Sequence, residues 1–171
     1  LTTTQVPALT TAQVSQLGAT QVAALEPRDL LRMTTTQIAV LTSTQVRALT
    51  TDQVTALTST QLPALSTAAI AAMSNDQINA IIGTTNIQSL TTTQVASLTT
   101  AQIAAMTSAQ LRALQDGDLA VFNTRQLQAL SAAQIPFLDV GDIASLSSDQ
   151  IGSLTGAQIA RSEEHTSELQ S

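Results

Sequence analysis

Cysteine, lysine, tryptophan and tyrosine are all missing from these 171 residues, and phenylalanine occurs only as Phe122 and Phe137. Without cysteine there are no disulfides, no thiolate chemistry and no Cys-based metal sites. Without lysine, positive charge rests on six arginines against twelve acids, a net charge of −6. A chain with so few cations and no basic stripe is not expected to bind nucleic acid or an anionic membrane. Long apolar runs are lacking too. The longest, Ala68–Met73, has six residues, far short of the roughly 18 needed to span a bilayer, so membrane insertion is not expected. No signal peptide is visible, and the chain opens on Leu1 rather than Met, at the first residue of a repeat, as a fragment would.

The chain has instead one short unit, L-T-T-x-Q-V-x-A, repeated twenty times from Leu1–Ala8 to Leu154–Arg161. Position 1 is Leu in fifteen units, replaced by Met33, Met73, Met106, Ile81 and Phe122 in the others. Position 6 is Val, Ile or Leu in every unit. Position 5 is Gln in fifteen units, replaced by Asp29, Ala69, Asn86, Asp118 and Asp142. Positions 2 to 4 are dominated by Thr, Ser and Ala. One extra residue falls at Ile81-Ile82-Gly83, where the step is nine.

A single long helix does not fit this period. At about 100° per residue, eight residues leave a drift of about 80° per unit, so the Leu positions would spiral rather than form a stripe. Short helices account for every position. Thr at position 2 serves as N-cap, and Gln at position 5 is then N3, the pair that forms a capping box. Leu at position 1 becomes N′ and the Val/Ile at position 6 becomes N4, the pair that forms a hydrophobic staple. Sixteen of the twenty position-2 residues are Ser, Thr, Asn or Asp, the preferred caps. Gly18 and Gly83 are acceptable caps; Glu26 is a poor one, but Pro27 follows it at N1.

Pro7, Pro63 and Pro136 all fall at position 7, where the ring removes one helical hydrogen bond and crowds the preceding turn. Only about one turn is therefore obligatory, and such a helix is unstable alone. The expected fold class is all-α: a solenoid of about twenty one- to two-turn helices, one per octad, over residues 1–161. A β-solenoid is the rival, since Thr and Val favour strands. Positions 1 and 6 have opposite parity, however, and would face opposite sides of one strand.

Residues with chemical potential read as structural. The three Met all sit at position 1, as substitutes for Leu in the core. Arg28, Arg47, Arg112 and Arg125 read as isolated solvated charges. Asp116, Asp118, Asp139, Asp142 and Asp149 form the one acidic concentration, a candidate for calcium. They stand at octad positions 2 to 5, near helix N-termini, where negative charge is favoured in any case. Thr at positions 2 and 3 would stack into hydroxyl ladders, like the regular Thr arrays on ice-binding solenoids. Residues 1–160 offer no His, Cys, Lys or Tyr, and their only Glu is Glu26. No base stands ready to activate a Ser or Thr, and no Gly-rich phosphate loop occurs. The expectation is a non-enzyme with no catalytic, cofactor-binding or metal-binding residues and no cofactor.

The octad L-[ST]-[ST]-x-Q-[VIL]-x-[AS] resembles tandem repeats of large bacterial secreted or cell-surface proteins. The resemblance implies a non-catalytic spacer or scaffold segment of a longer chain, an extracellular or cell-surface location, and protein or surface partners bound by other domains. Ligand binding, to ice through Thr or to calcium through the Asp116–Asp149 region, is the alternative. The first and last coils, lacking polar caps, are candidates for end-to-end self-association. Beyond the last octad, residues 161–171 read Arg-Ser-Glu-Glu-His-Thr-Ser-Glu-Leu-Gln-Ser and resemble one translated frame of a common sequencing adapter. The expectation is that residues 162–171, with the only His, His165, are a non-native disordered tail on a metagenomic gene fragment.

Overall fold

The computed structural model describes residues 4–82, 88–114, 117–138 and 140–160. Among the described residues all regular structure is helical and there are no strands. The β-solenoid is thereby excluded.

The α-helices are α1 (Thr11–Ser15), α2 (Ala19–Ala23), α3 (Pro27–Leu30), α4 (Thr35–Ala39), α5 (Ser43–Ala48), α6 (Thr51–Thr55), α7 (Thr67–Ala72) and α8 (Asn75–Ile82). They continue with α9 (Thr92–Ala96), α10 (Thr100–Ala104), α11 (Ser108–Arg112), α12 (Thr124–Ala129), α13 (Val140–Ala144), α14 (Ser148–Ser153) and α15 over 156–160. The fifteen α-helices are fewer than the twenty expected, because some octads hold a 3-10 turn instead. Four of these turns have both ends among the described residues, Val6–Ala8, Leu62–Ala64, Leu119–Val121 and Ile135–Phe137, and residues 88–89 are 3-10 as well.

Proline explains three of the four. Pro7, Pro63 and Pro136 each occupy the middle of a 3-10 segment. Having no N–H, the ring cannot donate to the carbonyl four residues back, and the turn closes through shorter bonds. In the unit of Pro63 these are Ala64 N–H to Gln61 O at 3.0 Å and Leu65 N–H to Leu62 O at 3.1 Å. The fourth turn follows Gly117, whose φ of 93° lies in the left-handed region that only glycine adopts without strain. The octad thus survives loss of its α-helix, provided positions 1 and 6 still reach the core.

Eleven α-helices carry both halves of the capping box, α8 (Ser74 with Gln77) and α15 (Thr155 with Gln158) among them. In α6 the Gln53 N–H donates to Thr50 Oγ1 at 3.2 Å, and the Thr50 N–H donates to Gln53 Oε1 at 2.8 Å. Where position 2 has no hydroxyl, half the device remains: the Gly18 N–H donates to Gln21 Oε1 and the Glu26 N–H to Asp29 Oδ2. Replacing Thr50 by Ala leaves one N–H without its acceptor and should cost about 1 kcal/mol. Ala39→Ser, on an exposed position 7, should stay within about 0.5 kcal/mol. Thermal melting of the two variants compares them directly, and equal effects would remove the cap from any role in stability.

The core is one continuous cluster of position-1 and position-6 side chains, joined by a single intruder, Ala69 at position 5. Every closely packed helix pair lies three octads apart: α1 on α4, α2 on α5, α5 on α7, α6 on α8, α10 on α12 and α12 on α14 are examples. Each unit therefore touches the units one turn before and after it, the one-dimensional stacking of a solenoid. The extra residue near Ile81 is taken up where α8, at eight residues the longest of these helices, ends.

Candidate functional site

The chemistry that recurs is at position 5. A Gln buried in an apolar core is costly unless all its polar atoms are bonded, and from Gln37 onward the described position-5 Gln side chains are almost fully buried. Gln53 and Gln94 are 1% exposed, Gln37 and Gln102 2%. Oε1 is used in the helix cap just described. Nε2 turns the other way, into the preceding turn of the solenoid.

Gln37 Nε2 donates to Val6 O at 3.0 Å and to Leu9 O at 2.7 Å, residues 31 and 28 positions back. Gln45 repeats this on Val14 and Leu17, Gln53 on Val22 and Leu25, Gln61 on Leu30 and Met33, and Gln77 on Val46 and Leu49. Across the one-residue insertion the spacing lengthens by one: Gln94 reaches Leu62 and Leu65, and Gln102 reaches Ile70 and Met73, at 32 and 29 positions. It returns to 31 and 28 for Gln134, Gln150 and Gln158. The acceptors are the carbonyls of positions 6 and 1, where one helix ends and the chain bends into the next. The position-6 carbonyl already accepts the N–H three residues on, as Val22 O does from Leu25 at 3.2 Å, so the amide is its second donor; the position-1 carbonyl lies beyond the helix end. One amide thus closes two helix ends, its own N-terminus and a C-terminus one turn away.

The bonds also set the pitch. A helix packs on the helix three octads back, while its Gln reaches the bend between the units four and three octads back. One superhelical turn therefore takes between three and four octads. Sequence reasoning placed Gln in the capping box and missed its second partner. A signal was present: Glu serves N3 as well as Gln and suits the helix dipole better, yet Glu never occurs at position 5. Only the amide can donate.

The decisive pattern is therefore a bent octad whose Gln ties successive turns together, and a family model reads the same pattern at residues 22–59, 59–92, 82–116 and 111–147. The chain belongs to the ALTTAQ repeat family. The family's name stands letter for letter at Ala8–Gln13. Each matched ALTTAQ repeat spans several octads, about one superhelical turn with its overlap. No curated protein matches the chain.

The other sequence-derived candidates separate. Of the acidic group, Asp116 and Asp139 lie outside the described residues. Asp142 is 1% exposed, in the inward slot that Gln fills elsewhere, whereas Asp149 is exposed on the first turn of α14. Among the described residues, no three His, Cys, Asp or Glu side chains converge as a metal would require. The position-2 hydroxyls are turned to their own helix N-termini, and some pair locally, as Thr34 Oγ1 does with Thr36 Oγ1 at 2.9 Å. Two arginines are not isolated as expected. Arg28 pairs with Glu26 at the surface, which also gives Glu26 a partner. The Arg112 guanidinium lies 4.9 Å from the Phe137 ring centroid, a cation–π contact. Those residues are 25 positions apart, and only the superhelix brings them together. The tail, residues 162–171 with His165, lies outside the described residues. No helix of the described residues is long and apolar enough to cross a membrane.

Proposed function

We propose that this ALTTAQ repeat chain is a non-catalytic spacer or scaffold, a segment of a longer bacterial secreted or cell-surface protein whose binding functions reside in other domains. The observation that carries this reading is the internal use of the polar side chains. The polar residue type that dominates the described interior, Gln, spends its donors and acceptors on the backbone of its own and the preceding turn. What remains outward is a field of Thr, Ser and Ala at positions 2 to 4, suited to solvation rather than to catalysis. A solenoid that adds length with each octad meets the mechanical need of a spacer, and it requires no cofactor and no nucleic-acid partner.

The experiment is small-angle scattering of the 171-residue chain. A compact globule of this length would have a radius of gyration of roughly 15–16 Å, and a spacer is expected to exceed that clearly with the profile of a rod. A compact value would sink the reading. The same preparation discriminates the ligand-binding alternative. The melting temperature is expected to be the same in calcium and in EDTA, and no thermal hysteresis is expected. A calcium-dependent rise, or hysteresis, would move the assignment to the Asp-containing region or to the Thr rows.

A further inference from the structure

We infer that the octads beginning at Leu114 and Leu138 form a built-in seam, where α13 swings off the 3-10 turn Leu119–Val121 while the octads on either side hold. The inference concerns where the solenoid opens and does not depend on the spacer reading. The dipeptide Gly-Asp occurs twice in the chain, as Gly117-Asp118 and Gly141-Asp142, both times at octad positions 4 and 5. The two copies stand three octads apart, and the superhelix packs one unit on the other, α13 on Leu119–Val121.

Each copy removes an inter-turn tie. An ionised carboxylate accepts hydrogen bonds and donates none, and Asp is one methylene shorter than Gln. By the register of the other units, a Gln in place of Asp142 would donate to Leu111 O and Leu114 O, 31 and 28 positions back. The amides on both sides go elsewhere: Gln134, in the octad before, to Ile103 and Met106, and Gln150, in the octad after, to Leu119 and Phe122. The flanks are therefore held while the unit between them is not. Asp142 is nonetheless 1% exposed, so opening also returns a buried carboxylate to water.

Local structure and packing act in the same direction. Gly141 lies inside α13, where a glycine loses more backbone entropy than any other residue. Leu119, Leu127, Ile135, Ile143 and Leu146 are among the side chains around a small apolar cavity between these turns. The contacts that α13 gives up on opening are thus already incomplete. Ala69 also lacks the donor, but its methyl group is fully buried in the core, and Ser43 Oγ donates across the turn to Ala68 O at 3.1 Å. That bond keeps α7 tied to α5.

Native-state hydrogen exchange on the full 171-residue chain at neutral pH tests this. The Ser145 and Leu146 amides, bonded to Gly141 O and Ile143 O, are expected to exchange at least roughly tenfold faster than the Ile151 amide of α14, which is bonded to Ser147 O. Since α14 and α15 follow α13 in the chain, opening that began from the C-terminal side would give the reverse order. Asp142→Gln supplies the missing donor and should bring these amides to the α14 rate and raise the melting temperature. Asp142→Asn removes the same charge but falls short of the two carbonyls, so exchange should stay fast. Equal protection of α13 and α14 in the unaltered chain, an Asp142→Gln variant that exchanges as fast as the unaltered chain, or an Asp142→Asn variant as protected as Asp142→Gln would overturn the inference.

Discussion

Replacing Gln53 by Glu should destabilise the protein by about 3–5 kcal/mol, while the same change at Gln13 should stay within about 0.5 kcal/mol. The pair isolates the two roles of the amide. In both variants a carboxylate oxygen still accepts the N-cap N–H, so the capping box persists. At Gln53, however, the donor to Val22 O and Leu25 O is gone. A carboxylate, in a site 1% exposed, would then face two carbonyl oxygens. Gln13 is exposed, and its printed side-chain bonds stay within its own unit, so its carboxylate stays solvated.

The Gln53→Glu penalty should also depend on pH. Burial among carbonyls raises the folded pKa of the new carboxyl above its unfolded value of about 4.3. The folded state then binds more protons than the unfolded state between those two values, so stability falls as pH rises through that window. The gap to wild type should accordingly be narrowest in acid and widest at neutral pH. Thermal melting at both pH values measures it. An equal loss at Gln53 and Gln13 would mean that the inter-turn bonds contribute nothing beyond the cap.

The second large effect is expected in the core. Ile103→Ala removes a side chain that is fully buried in α10 and should cost about 2–5 kcal/mol, the range for a buried aliphatic residue whose surroundings relax only partly. Ile159→Ala, at the same octad position but 38% exposed, should cost less than about 1 kcal/mol. Location adds a further expectation. α10 packs on α8 and α12, one turn to either side, so a cavity there weakens the coupling between the two halves of a nearly one-dimensional array. Hydrogen exchange should show protection falling first in α8, α10 and α12 and least in the helices of the first turn. Uniform loss along the chain would contradict nearest-neighbour stacking.

Much of this organisation could be read from local spacing. The capping box spans three residues, the staple five, and the effect of proline at position 7 acts within one turn. Each is a short-range constraint, so Thr50 with Gln53, or Pro63 in its 3-10 turn, behaves as the octad predicts. The number of α-helices is lower than the octad count, because proline at position 7 changes the turn to 3-10 geometry instead of only shortening the helix. The partner of Arg112, Phe137, is not legible locally, because it adjoins Arg112 only after the chain has completed a turn.

The period, the caps, the inward positions and the short helices are all legible in the octad, because each depends on groups within eight residues of one another. The tertiary structure alone decided how many octads complete a turn, and therefore which carbonyls meet each Gln. That number follows from the bend angle at positions 7, 8 and 1, summed over several units and settled by how position-1 and position-6 side chains pack between turns. A small change in the bend would move the acceptors of Gln37 off Val6 and Leu9, with no change in the octad that places it there.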